Sequence, residues 1–226
     1  MPKDAFLKNQ PKEYQQGYSR FFGLKIDLSL KTFIPRTETE FWTRSAINYL
    51  QQQKIKEPKI LDLCCGSGCI GIAVLKKIKN SCVRFVDIDP RAVKQTKINI
   101  ALNGIDSRRA KVTKSDLFKN LPRGAAYDAI LTNPPYIDKK RSGEIQLSVI
   151  NYEPAMALFG GGKNGLRIIK QIITDAPKYL KENGSLFLEF DQSQKDEIAQ
   201  LLQKRGFSDI EFFKDQFGQF RFVRCA

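Results

Sequence analysis

The sequence contains no histidine. That absence removes Ser-His-Asp and Cys-His mechanisms and every His-ligated metal site. The five cysteines, Cys64, Cys65, Cys69, Cys82 and Cys225, are odd in number, two are adjacent, and no second Cys-x-x-Cys pair completes a zinc site. Reduced, mostly buried thiols and no metal are expected. No uninterrupted apolar run approaches the ~20 residues that cross a bilayer, and Met1-Pro2-Lys3-Asp4 leads into polar sequence rather than an apolar signal core. A cytoplasmic protein without a membrane partner is expected. Internal repeats and low-complexity tracts are also absent.

What is present is ordinary for a folded protein: 226 residues, 42% hydrophobic and 27% charged. That length suits one α/β domain with a short appendage. Acidic residues are few against basic ones, 24 to 38, for a net charge of +14. The excess permits an anionic partner such as RNA, DNA or a ribosome-associated protein. The lysines are spread along the chain, and a general lysine bias accounts for them equally well.

Residues 1–34 are aromatic-rich, with Gly17 and Gly23 as breaks, and read as a helical turn followed by an extended pair. Thr37 and Glu40 have capping-box spacing, which predicts a helix from Glu38 to Gln52. Strand and helix then alternate. Strands are predicted at 59–63, 83–87, 110–113, 128–132 and 185–189. Helices are predicted at 69–78, after the Asp89-Pro90 cap, at 165–180 and at 194–205. A closing antiparallel pair, 209–213 with 220–223, turns at Gly218. Repeated βα units imply a parallel sheet with helices on both faces and a ligand site at the carboxyl ends of its strands.

Gly66-Ser67-Gly68-Cys69-Ile70-Gly71 matches G-x-G-x-x-G between a strand and a helix. Asp87, at the end of the second strand, can accept hydrogen bonds from both hydroxyls of a ribose, which NAD and S-adenosylmethionine share. Asp62, in Asp62-Leu63-Cys64-Cys65-Gly66-Ser67-Gly68, favours a cofactor with a cationic tail, because a pyrophosphate would be repelled. Its alternative role is to cap the loop backbone. Asp116 and Leu117 follow the third strand, where they can take an adenine amino group and ring, or form only a turn.

The sharpest signal is Asn133-Pro134-Pro135-Tyr136 at the end of the fourth strand. Two prolines restrict the backbone after Asn133, so that its side chain and the Pro134 carbonyl can face the cleft. Together with the flat face of Tyr136 they suit a planar –NH2 group conjugated to a carbonyl or an aromatic ring. Accepting both N–H bonds returns electron density to a delocalised nitrogen and aims it at a methyl group. The same tetrapeptide also makes a good turn.

At these residues the chain resembles the glutamine N(5)-methyltransferases of the HemK type, which modify peptide chain release factors. The resemblance runs from Gln15 to the C-terminus. It includes Phe33-Ile34-Pro35-Arg36-Thr37-Glu38-Thr39-Glu40, the loop from Asp62 to Gly68, Asp87-Ile88-Asp89-Pro90 and Asn133 to Tyr136. It continues through Tyr152-Glu153-Pro154 with Ala157-Leu158, Gly165-Leu166 and Leu188-Glu189-Phe190. It implies a Rossmann-like class I methyltransferase fold, with a seven-stranded, mostly parallel sheet and an antiparallel C-terminal hairpin strand. It also implies S-adenosylmethionine as cofactor, bound by Cys64, Cys65, Gly66, Ser67, Gly68, Asp87, Leu117 and Asn133, to which the readings of Asp62 and Asp116 above add those two carboxylates. Asn133, Pro134, Pro135 and Tyr136 would hold the glutamine of a release factor's Gly-Gly-Gln loop.

Three departures from the family pattern stand out. Thr37 replaces a proline, Cys64-Cys65 replace a Gly-Thr type pair, and only the exit segment of an N-terminal helical domain is expected. Residues 1–34 are thus read as a remnant of a substrate-binding region and residues 35–226 as the methyltransferase domain, in a monomer with ribosome or nucleic-acid proximity. An adenine methyltransferase, using Lys139-Lys140-Arg141 against phosphates, a ribosomal-protein glutamine methyltransferase and a non-catalytic RNA-binding or assembly factor are the alternatives.

Overall fold

The computed structural model describes residues 10–226; the stretch beginning Met1-Pro2-Lys3-Asp4 lies outside them. A short helix, Lys12–Gln16 (α1), leads into an antiparallel hairpin, Tyr18–Phe21 (β1) and Leu24–Asp27 (β2). Helix Thr37–Gln52 (α2) follows, then Lys59–Leu63 (β3), Cys69–Lys77 (α3), Cys82–Asp87 (β4), Pro90–Leu102 (α4) and Ala110–Lys114 (β5). Tyr127–Thr132 (β6) precedes two short helices, Leu147–Tyr152 (α5) and Ala155–Leu158 (α6). The chain ends with Arg167–Asp175 (α7), Leu180–Glu189 (β7), Lys195–Lys204 (α8), Glu211–Lys214 (β8) and Phe220–Cys225 (β9).

Seven strands form one sheet in the order β5-β4-β3-β6-β7-β9-β8. All neighbours from β5 to β7 are parallel; β9 pairs antiparallel with both β7 and β8. The strand alternation sorts side chains to two faces. Ile60, Phe85, Leu131 and Phe187 pack with Trp42, Ala46 and Leu50 of α2, with α3 and with the hairpin residues Phe21 and Ile26. Leu61, Ile130, Leu188 and Val223 pack on the other face with Ile169, Ile172 and Ile173 of α7 and Ile198 and Leu202 of α8. Each of these isoleucines is fully buried, worth roughly 1.5–3 kcal/mol of transfer free energy. The connections run outward from β3 to β5 and then return to place β6 on the other side of β3. A crevice therefore opens at the carboxyl ends of β3 and β6, as expected where the strand order reverses.

The hairpin is fastened by a row of fully buried polar side chains on α4, namely Gln95, Thr96 and Asn99. Asn99 Oδ1 accepts from the Asp27 amide at 2.7 Å, and Asn99 Nδ2 donates to the carbonyls of Asp27 and Ser67. Gln95 binds the Leu30 amide and the Asp27 carboxylate. The Thr96 hydroxyl donates to the Gly66 carbonyl at 3.1 Å.

Several boundaries differ from expectation for identifiable reasons. The Thr37–Glu40 capping box does not form. Arg36 occupies the N-cap in an extended conformation, held through its guanidinium by Glu153, so Thr37 is already helical and its hydroxyl turns to Glu38. The helix expected over 165–180 is shorter. Gly165 has φ +72°, outside the helical region, and after Asp175 the chain tightens into a 3₁₀ turn at 176–178, where Pro177 supplies no N–H. Between Tyr136 and Gly165, where no element is predicted, the chain forms a 3₁₀ turn at 139–144 and then α5 and α6.

Candidate active site

A cavity of about 1070 Å³ occupies the crevice. Its floor begins with the loop after β3. Cys64, Gly66 and Gly68 all adopt left-handed backbone, with φ 59°, 55° and 80°. Cys64 thus takes the conformation that glycine adopts without strain, and the turn closes despite the cysteine pair. Gly68 serves another contact: a Cβ there would lie 2.8 Å from Thr96 Cγ2. The loop is also tied by Cys65 N–H to the Val86 carbonyl at 3.0 Å.

Asp87 caps this loop from β4. Its two carboxylate oxygens accept from the Gly66 and Asp89 amides, each at 2.9 Å. Burial pushes its carboxyl above the ordinary aspartate value, against those backbone donors. The carboxylate keeps lone-pair capacity for a further donor. Asp62 is fully buried. One of its oxygens accepts from the Gly71 amide at 2.9 Å, while Oδ1 has no partner among the described residues. Desolvation pushes its carboxyl well up, and Asp87 adds to the effect. Leu117 has φ 48° and lines the cavity; Asp116 does too, with its carboxylate ion-paired to Lys119 at 2.6 Å.

The Asn133–Tyr136 box leaves the end of β6 along the opposite wall. Asn133 Nδ2 donates to Thr39 Oγ1 at 3.1 Å. The Thr39 hydroxyl donates to Glu189 Oε2 at 2.7 Å, and Trp42 Nε1 donates to the same oxygen at 2.6 Å. Tyr136 Oη donates to Glu189 Oε1 at 3.2 Å. Burial pushes both the Tyr136 phenol and the Glu189 carboxyl up, the latter against the donors of Trp42 and Thr39 and the charge of Arg221. Asn133 Oδ1 and the Pro134 carbonyl take no hydrogen bond from the described residues.

The segment after the box folds over the cavity. Ile137 bridges to Phe159 in parallel fashion. Buried Glu153 accepts from the Ile34 amide at 3.1 Å and pairs with Arg36, joining the covering helices to the entry of α2. Gly165 permits this return: a Cβ there would sit 2.2 Å from the Tyr136 carbonyl oxygen. In the basic run, Arg141 pairs with Glu144 and Asp191, while Lys139 and Lys140 are exposed.

Of the residues singled out in the sequence, Cys64, Cys65, Gly66, Ser67, Asp87, Asp116, Leu117 and Asn133 to Tyr136 line the one cavity. Asp62 and Gly68 do not reach its wall. Among the described residues no three Cys, Asp or Glu side chains converge into a metal-binding set, and no helix is long and apolar enough to cross a membrane. Sequence reading did not assign Glu189, Thr39 and Trp42 to the site. A lone carboxylate closing an apolar strand, opposite polar positions spaced by three on a helix, was the available signal.

The family model described as methyltransferase small domain matches residues 37–163. A release factor glutamine methyltransferase of Fusobacterium nucleatum is 36% identical over 96% of this chain and 60% of its own length. One from Flavobacterium psychrophilum is 33% identical over 96% of this chain and 76% of its own length. Among solved structures, a methyltransferase from Pyrococcus furiosus superposes with a TM-score of 0.65 at 17% identity, covering 99% of this chain and 96% of that one. The likeness to that structure is one of fold. With the methyltransferase small domain spanning more than half of it and relatives of this identity along almost its whole length, the chain belongs to the release factor glutamine methyltransferase family.

Proposed function

We propose that this chain is an S-adenosylmethionine-dependent methyltransferase acting in the cytoplasm on the side-chain amide nitrogen of the Gly-Gly-Gln glutamine of a peptide chain release factor. The observation that carries the reading is the pair of unengaged acceptors, Asn133 Oδ1 and the Pro134 carbonyl, beside the ring of Tyr136 on a cavity shared with Asp87. The residues present fit the cofactor. Asp87 offers lone-pair capacity beyond its backbone donors to a ribose diol, and Leu117 offers an apolar face to adenine on the same cavity. The volume of about 1070 Å³, just above the usual range of roughly 300–1,000 Å³ for a single ligand, leaves room for a second reactant.

When bound, S-adenosylmethionine supplies an electrophilic methyl group. The chain's own residues then do the positioning. Asn133 and Pro134 accept the two amide hydrogens, Tyr136 covers the amide plane, and the nitrogen lone pair is held toward the cofactor side. We extend the proposal to the boundary at residue 34: residues 1–34 would belong to the substrate-facing region, 35–226 to the methyltransferase domain of a monomer, with the basic surface favouring work near the ribosome. The names of the relatives favour glutamine over adenine as the acceptor.

The test is intact-protein mass spectrometry of a bacterial release factor incubated with this protein and S-adenosylmethionine, with duplex DNA in a parallel reaction. One added methyl mapping to the Gly-Gly-Gln glutamine is expected. Methyladenine in the DNA with unmodified release factor would overturn the substrate, and failure to bind S-adenosylmethionine would favour the non-catalytic alternative.

A further inference from the structure

Asn133 presents a planar amide whose two ends look alike in shape and opposite in chemistry. Only one orientation offers an acceptor to the cavity, and nothing within the box itself selects it. The selection comes from outside, through a chain of donors with no freedom left. Trp42 Nε1 can only donate, so the Glu189 oxygen it meets at 2.6 Å must be an acceptor. With Glu189 ionised, and so acceptor-only toward Trp42, Thr39 and Tyr136, the Thr39 hydroxyl 2.7 Å from that same oxygen spends its single hydrogen there. Thr39 Oγ1 can therefore only accept from its remaining neighbour, Asn133, at 3.1 Å. The atom facing Thr39 must be the –NH2 group, and Oδ1 is left for the cavity. Thr39 and Glu189 are each 2% exposed.

We infer that Thr39, set by Glu189 and Trp42, is a positioning residue that fixes the amide of Asn133 with its oxygen toward the substrate. The inference rests on the reading of Asn133 as the acceptor of a substrate –NH2. If the amide turned over, it would present –NH2 to –NH2, and the methyl acceptor would lose one of its two partners. Thr39 does not itself touch the reacting atoms.

The experiment compares T39V, which keeps the shape and removes the hydroxyl, with T39S, which restores the hydroxyl. Loss of one preorganised hydrogen bond to a reacting group costs about 100-fold in kcat. T39V should show a loss of that order on release factor, with S-adenosylmethionine affinity by calorimetry within about threefold, and T39S should recover most of the rate. Wild-type rates in T39V, or a T39S protein as slow as T39V, would overturn the inference. A second readout does not depend on turnover. In protein labelled with ¹⁵N-asparagine, the Asn133 side-chain amide signal, assigned by its absence from N133A, should be shared by wild type and T39S and shifted in T39V. An unchanged signal in T39V would overturn the inference even if the wild type methylated nothing, an outcome that would instead count against the proposed function.

Discussion

Gly68 gives a sharp test of what a glycine in this loop is for. Replacing it with alanine keeps φ at +80° and introduces a Cβ 2.8 Å from Thr96 Cγ2 and 3.1 Å from Thr96 Oγ1. Left-handed backbone costs a non-glycine residue roughly 1–2 kcal/mol. Restricting the unfolded chain returns about 0.4–1 kcal/mol. The contact itself is overpacking, worth about 1–3 kcal/mol, because Thr96 is fully buried and held through its hydroxyl by the Gly66 carbonyl. The net is a loss of about 3 kcal/mol, or roughly 6–12 °C in Tm for a chain of this length. Thr96→Ser removes Cγ2 and keeps the hydroxyl. In the double variant it should recover the overpacking but not the backbone strain, giving a coupling of about 1–3 kcal/mol in urea unfolding, above the ~0.5 kcal/mol within which independent sites add. A Gly68→Ala protein with unchanged Tm but weakened S-adenosylmethionine binding would refute the packing argument and return the glycine to ligand approach. Additive single effects would refute the Thr96 contact.

Asp87→Ala should weaken S-adenosylmethionine binding by roughly 10–100-fold, the worth of a charge-assisted hydrogen bond; unchanged affinity in calorimetry would remove its ribose role. Gly165→Ala combines φ +72° with a Cβ 2.2 Å from the Tyr136 carbonyl oxygen, and should cost about 3 kcal/mol or more and depress turnover with it; a Tm equal to wild type would show that the covering segment relaxes freely. Asp27 has its carboxyl held below the ordinary 3.8, burial being outweighed by hydrogen bonds from Ser29 and Gln95. A lowered folded value contributes stability that is present above about 3.8 and lost as pH falls below it. Protection factors of the hairpin amides should therefore fall on acidification below that value in wild type and not in Asp27→Asn, and identical acid dependence in the two would refute the assignment.

Local signals read well where local chemistry decides. The apolar run Lys59–Leu63 forms β3 over the same five residues, and Asp89 caps α4 through the Arg91 amide at 2.8 Å with Pro90 in the first turn. That the Asn133 box, the glycine loop and Asp87 share one cavity was legible because each ends or follows a strand and parallel strands share an end. What was not legible depends on partners far along the chain. The capping box at Thr37 lost to an ion pair between Arg36 and Glu153, 117 residues apart. Helices α5 and α6 carry few buried side chains and lack the apolar stripe that periodicity detects. Thr39 meets Asn133 across 94 residues and Glu189 across 150, and no spacing rule reaches that far.

The buried polar row on α4 has a mechanical consequence. Asn99 holds the Asp27 carbonyl and the Ser67 carbonyl with the same amide group, so the hairpin and the cavity floor are grasped by one hand. Gln95 and Thr96, one turn earlier, repeat the arrangement with Leu30 on one side and Gly66 on the other. A tug on residues 18–30 is thus delivered to the glycine loop without passing through the sheet. The two segments should open together, as a single cooperative unit in native-state exchange, and whatever grips the hairpin also sets the tension on the floor of the cavity.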